Sequence, residues 1–297
     1  MMVLRPRTLF ALVGASLCVL LCESSPVHAY CRTHTLDPAE SSCPPICANA
    51  GTALAWRTAH LSYGFNARGF PGLTDDKLHA TIATSFKTWQ DVTCGEKNIG
   101  LKIEAISGTT TLQQGPQAQE PNENVIVHYD PAAWAALSYS PHAFAITAVW
   151  FNDAGVIRGA DIGFNGGMDI YGDCAVDRCS SVGIRTDLQN VATHEIGHFL
   201  GLSHSDVLRS TMSCEANASD TDKRSLEPDD IAGICASYPA ASAFPADKNS
   251  SGDKCSLAPF QPDTGLGLTV LSTLGVVLAV RRRKTRRRSA GLSSFTK

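Results

Sequence analysis

The sequence has no apolar run that crosses a membrane comfortably: its two uncharged apolar stretches, Leu9 to Leu21 and Gly265 to Val280, fall short of the roughly 20 residues a spanning helix needs. Charged residues are scarce at 18%, which excludes a coiled coil, and apolar residues reach 43%, which excludes a disordered chain. Glycine occurs 24 times without a three-residue period, so the chain is not collagen-like. No internal repeat is present, and no loop matches an EF-hand. The body also lacks positive charge. Eight Lys and Arg lie in residues 281–297, with two more at Arg5 and Arg7. Residues 30–280 keep 15 basic against 27 acidic side chains, a net charge of −12. Such a body is a poor partner for nucleic acid.

Both ends read as addresses. Residues 1–29 have a basic start at Arg5 and Arg7, the apolar stretch Leu9 to Leu21, and Val27-His28-Ala29 before Tyr30. That is the layout of a cleaved export signal. At the other end, residues 264–297 hold the apolar run followed by seven cations in eight residues, Arg281 to Arg288. Cations after an apolar run stay on the cytoplasmic side, so the body is expected outside, retained at the cell surface or outer envelope of a bacterium. Gln261-Pro262-Asp263-Thr264-Gly265 resembles a sortase signal in which Gln261 replaces the expected Leu. Cys255 ahead of the apolar run resembles the tails of myxobacterial surface proteins.

Nine cysteines remain after removal of the signal; setting Cys255 aside with the tail leaves eight, enough for four disulfides in an oxidising compartment. Neither Cys43/Cys47 nor Cys174/Cys179 has a second pair at zinc-finger spacing, which favours disulfides over metal. Cys174 with Cys179 is expected to close the loop before a long helix. Cys214, two residues after Met212, is expected to pair with Cys235 in the last helix.

Residues 30–54 are Cys-rich and aperiodic, and the regular pattern starts near 55. His60 to Asn66 reads as a strand. Thr74 caps a helix with Asp75 and Asp76 in its first turn and Leu78, Ile82, Phe86 and Trp89 on one face. Strands are expected at Ile99 to Ile106, Asn124 to Tyr129, Ile146 to Phe151 and Gly159 to Phe164. A loop fills 166–185. Thr186-Asp187-Leu188-Gln189 reads as a capping box opening a long helix. A last helix starts at Pro228, shows Ile231, Ile234, Cys235 and Tyr238 on one side, and stops before Pro239. Residues 241–263 form a polar linker. One mixed sheet with a few helices is an α+β fold.

The chemistry concentrates in residues 194–212. His194 and His198 are four apart on a helix, so their imidazoles face the same way and can share one zinc ion. Gly201 can take a positive φ and let the chain leave the helix sharply, which swings His204 in as a third ligand. Three histidines leave a fourth position for water, the mark of a catalytic site. Glu195 is not needed as a ligand and can accept the proton of that water.

The run His194-Glu195-Ile196-Gly197-His198-Phe199-Leu200-Gly201-Leu202-Ser203-His204 resembles the zinc signature of the metzincin proteases, and Met212 stands where their Met-turn follows. Ser205 and Leu226-Glu227-Pro228-Asp229-Asp230-Ile231 are similar to the matrixin branch. Trp56 to Tyr63, Trp89 and Ala160 to Asn165 resemble bacterial members. The resemblance covers roughly residues 55–240. It implies an upper subdomain with a twisted sheet and two long helices, and a small lower subdomain after Gly201. It also implies a cleft for an extended peptide, with Met212 as the floor below the zinc. The strand Ile146 to Phe151 would be the edge that pairs with substrate backbone. No P-R-C-G cysteine switch is present. His128, Asp130 and His142 do not match the spacing of a second zinc site and read as surface residues. Calcium could bind around Asp153, Asp161, Asp169, Asp173 or Asp177.

These readings point to an exported zinc endopeptidase, expected as a monomer. Two alternatives stay open: a catalytically silent binding module on the same fold, and a zinc hydrolase of a non-protein amide. Glu195 together with all three histidines favours an enzyme over the silent module.

Overall fold

The computed structural model describes residues 30–37, 47–117, 122–167, 170–177, 179, 184–239 and 290–296. The segment expected as an export signal, Cys43, Asp169, the expected linker 241–263, Cys255, the apolar run and the Arg cluster lie outside them.

The first strand, β1 (His60–Asn66), leads through a Gly-containing turn to α1 (Asp75–Gln90). Thr74 caps α1 by accepting from the Lys77 N–H, and Asp75 and Asp76 complement the positive end of the helix. Leu78, Ile82, Phe86 and Trp89 recur on one face and are all buried. Fully burying an aromatic such as Phe86 contributes about 1.5–3 kcal/mol. Two short strands, β2 (Thr93–Cys94) and β3 (Lys97–Asn98), form a hairpin. Gly100, at φ 76°, then turns the chain into β4 (Lys102–Thr110), so this strand starts later than the apolar pattern from Ile99 suggests.

β5 (Asn124–Tyr129), the short α2 (Pro131–Ala136), β6 (Ala143–Phe151) and β7 (Ile157–Asn165) follow. β1, β4, β5 and β7 run parallel, and β6 pairs antiparallel with β7. The segment expected as plain loop holds β8 (Ile170–Gly172) and α3 (Cys174–Asp177). β8 pairs in parallel with β9 (Ile184–Asp187). α4 (Leu188–Phe199) packs between the sheet and α1, and α5 (Pro228–Ser237) closes the domain. The mixed sheet and flanking helices are those of the α+β zincin fold.

Several expectations are corrected. The cap of α4 is Asp187, whose Oδ1 accepts from the Asn190 N–H at 2.8 Å. Thr186 is still extended and paired within β9, so the helix opens one residue late for the expected capping box. On α5, Ile234 and Tyr238 are buried, but Ile231 is 37% exposed because that side of the helix faces solvent. β6 is not the outermost strand. β10 (Ala290–Thr296) pairs antiparallel along it, from Ala290 opposite Trp150 to Thr296 opposite Ala143, and uses the N–H and C=O groups an edge would leave bare. Among the described residues no helix is long and apolar enough to cross a membrane.

The expected Cys174–Cys179 disulfide is present, beside Cys31–Cys47. Cys214 and Cys235 are not partners. Cys235 joins Cys94, because α5 packs against the β2–β3 hairpin, whereas Cys214 lies buried after Met212. Cys214 is itself disulfide-bonded. The Cys94–Cys235 bond closes 141 residues, so Cys94→Ala/Cys235→Ala should cost about 2–5 kcal/mol of stability. Denaturant midpoints measure this. An unchanged midpoint, or peptide mapping that joins Cys235 to Cys214, would refute the pairing.

Candidate metal centre

α4 is buried almost all the way round, an unusual setting for a helix carrying two histidines and a glutamate. Its neighbours make that possible. Trp89 donates its indole N–H to the Thr193 carbonyl at 2.8 Å, and Trp56 donates to the Phe199 carbonyl at 2.9 Å. The helix ends as expected at Gly201, with φ 94°. A side chain there would also meet the Leu54 carbonyl at 2.7 Å, so both conformation and space demand glycine. The Leu202 N–H then returns to the Gly197 carbonyl at 3.0 Å, and the reversed chain carries His204 back over α4.

His194, His198 and His204 come together, all buried, with ligand atoms within 4.8 Å of one another. Among the described residues this is the one group of three or more side chains able to hold a metal ion. The outer nitrogens fix the ring orientations. His194 Nδ1 lies 2.6 Å from the Thr211 carbonyl and His198 Nδ1 lies 2.9 Å from the Leu202 carbonyl. A carbonyl only accepts, so both Nδ1 atoms carry hydrogen and both Nε2 atoms present lone pairs. Those Nε2 atoms are 3.1 Å apart, and His194 Nε2 is 3.2 Å from His204 Nε2. Lone pairs at that distance repel unless a cation lies between them. Two zinc–nitrogen bonds of about 2.0–2.1 Å at a tetrahedral angle give nearly this spacing. Burial holds the His194 and His198 imidazoles well below their usual titration range, which keeps them neutral and able to ligate. The donor set fits zinc.

Glu195, next to His194 on α4, is fully buried. Its Oε2 accepts from the Thr147 hydroxyl of β6 at 2.6 Å, while Oε1 has no hydrogen-bond partner among the described residues. Without a metal, burial pushes its carboxyl up to about 8, against the Thr147 bond and the Lys223 ammonium, which favour the charged form; a divalent cation on the histidines would favour the same form, the one a base needs.

Met212 is buried against α4. It packs so closely on α4 that a Cβ at Gly197 would come within 2.1 Å of its sulfur. Two neighbouring acids of α5 hold this turn. Asp230 accepts from the Thr211 and Met212 N–H groups at 2.8 and 2.9 Å. Asp229 accepts from the Ser205 hydroxyl at 2.6 Å and from the Tyr30 N–H at 3.0 Å. Of the residues considered for calcium, Asp161 spends both oxygens on the Gly115 and Val125 N–H groups, and Asp173 is bound by Arg224.

Sequence reading missed Thr147 and Lys223. A lone polar residue in the otherwise apolar β6 was the available signal for the first. Lys223 gave none. Its ammonium is buried and donates to the Ser213 carbonyl beside Met212.

The fold and this centre define a class, the zinc-dependent metalloproteases. A family model of the matrixins matches residues 55–239, and the chain belongs to that family. No curated protein matches the chain.

Burial drives the Lys223 ammonium from 10.5 down to about 7, so between those values the unfolded chain binds more protons than the folded one. Stability should therefore rise with pH across that window, and the gain should be absent below it. In Lys223→Met this slope should vanish. Denaturant midpoints of both proteins at pH 7, 8 and 9 give the difference; if it stays constant with pH, the ammonium is not desolvated.

Proposed function

We propose that the chain is an exported zinc endopeptidase that hydrolyses protein or peptide substrates, with His194, His198 and His204 as metal ligands and Glu195 as general base. The observation that carries this reading is the convergence of unprotonated Nε2 atoms beside a glutamate with one oxygen uncommitted. Zinc, when bound there, supplies a Lewis acid that polarises the scissile carbonyl and acidifies a water. Glu195 Oε1 takes the proton of the attacking water and passes it to the amine nitrogen that leaves. The buried walls, Met212 among them, exclude other water and strengthen these charge interactions. An extended substrate pairs with β6, in the place β10 holds.

Replacing Glu195 by Gln keeps size and shape but removes the proton acceptor. Zinc should stay at about one per chain, and turnover should fall at least about 10²-fold. His198→Ala removes a ligand and should lose zinc together with activity. Metal analysis and cleavage of a mixed peptide library measure both variants. Near wild-type cleavage by zinc-loaded Glu195→Gln would refute the mechanism. A zinc-loaded wild type that cleaves no peptide would favour the silent module or another amide substrate.

The disulfides Cys31–Cys47, Cys94–Cys235 and Cys174–Cys179 support export to an oxidising compartment. Signal cleavage after Ala29 would leave the new ammonium on the Asp229 carboxylate, where the Tyr30 nitrogen now sits. Residues 264–297 then retain the protein at the cell surface. A tail threaded through a membrane has to leave the sheet, so anchoring and β10 pairing exclude each other. A chain ending near Pro245 should be soluble and active, while the full chain fractionates with membranes. A freely soluble full chain, or a truncated one that does not fold, would overturn the anchor.

A further inference from the structure

β6 is buried along its whole length, and its nine residues, Ala-Phe-Ala-Ile-Thr-Ala-Val-Trp-Phe, are apolar but for Thr147. A hydroxyl in such a strand costs stability unless it is hydrogen-bonded, and valine would fill the same space without that cost. Thr147 is fully buried, and its hydroxyl lies 2.6 Å from Glu195 Oε2 and 3.1 Å from the Glu195 carbonyl. One hydroxyl has one hydrogen. The shorter contact, to a group that can carry charge, is the stronger of the two.

The geometry fixes more than a distance. The terminal torsion of a glutamate is broad, so a buried carboxylate with no partner would rotate. Thr147 is β-branched with a stiff side chain, and it sits mid-strand opposite Ile162 of β7. Its hydroxyl is thus a rigid donor. It engages Oε2 and leaves Oε1 as the oxygen without a partner among the described residues.

We propose that Thr147 is a positioning residue: its hydroxyl sets the plane of the Glu195 carboxylate so that Oε1 is presented to the reacting water. This rests on Glu195 being the general base. The Thr147 hydroxyl touches neither substrate nor metal ligand in this role, and it acts through Glu195.

The test uses the zinc-loaded protein and the variants Thr147→Val, Thr147→Ser and Glu195→Gln, with the Thr147→Val/Glu195→Gln double variant. Thr147→Val should keep zinc content, and KM should stay within about twofold. Its kcat should fall about tenfold to a hundredfold, the span for losing a hydrogen bond to a charged group. Thr147→Ser should recover most of that loss. In the Glu195→Gln background, Thr147→Val should change residual kcat less than about twofold, because no carboxylate remains to be positioned. A purely structural role would give the same loss in both backgrounds. A readout without catalysis is the thermal melting of the four metal-free proteins, where Thr147→Val and Glu195→Gln should be non-additive.

Equal kcat for wild type and Thr147→Val, with Glu195→Gln inactive, overturns the positioning role and leaves the base intact. Equal losses in both backgrounds, or additive melting shifts, overturn it too. If Glu195→Gln cleaves like wild type, the base assignment itself fails and this proposal falls with it. Should Thr147→Val not fold, Thr147→Ser in both backgrounds decides: a kcat loss of the same size in each overturns the proposal, and a loss confined to the Glu195 background supports it.

Discussion

Two imidazole nitrogens turned toward each other at 3.1 Å set the terms for the rest of the molecule. In water that contact would relax at once. Here it cannot, because each ring is tied by its far nitrogen to a backbone carbonyl, and both carbonyls sit in rigid turns. The Leu202 carbonyl is placed by the turn at Gly201, and the Thr211 carbonyl by the turn that leads into Met212. Neutrality of the rings follows from burial, and burial follows from α4 being enclosed by α1, the sheet and the chain after Gly201. The fold thus maintains an arrangement that is unfavourable without a cation and favourable with one.

The polar groups supporting this arrangement divide the work. Indole N–H groups from Trp56 and Trp89 satisfy carbonyls of a helix that has little access to water. The consecutive carboxylates of α5 satisfy the N–H groups of the Met-turn and the hydroxyl next to the third histidine. Arg224 joins Asp187, the cap of α4, to Asp173 in the loop before it. Each acid sits where a backbone or cationic donor needs an acceptor. Much of the excess negative charge seen in the composition is therefore spent inside the domain.

What could be read from the sequence was local. The apolar face of α1, its Thr74 cap, β1, β5 and the start of α5 at Pro228 all rest on periodicity or capping within a few residues, and all are present. The histidine triad was legible because its ligands are spaced by one helical turn plus one sharp reversal. The failures are contacts between distant segments. The partner of Cys235 depended on which element lies across from α5, which no spacing encodes. The outer pairing of β6 comes from residues more than 130 positions away. Thr147 lies 48 residues before Glu195, and only the exclusion of every other polar residue from β6 hinted at it.

The turn carrying the third histidine is also held from the far end of the chain. Ser203 donates to the Cys31 carbonyl at 2.9 Å, Thr33 donates to the Gly201 carbonyl at 3.0 Å, and Tyr30 reaches Asp229 across 199 residues. Contacts at such separation raise contact order, and chains that depend on them fold slowly, since the closing entropy is spent before the contact is gained. The helix bearing His194 and His198 is built from neighbours, whereas the brace on the His204 turn must wait for both ends of the domain. The place of His204 therefore depends on a closure between residues 30–33 and 201–229 that the places of His194 and His198 do not require.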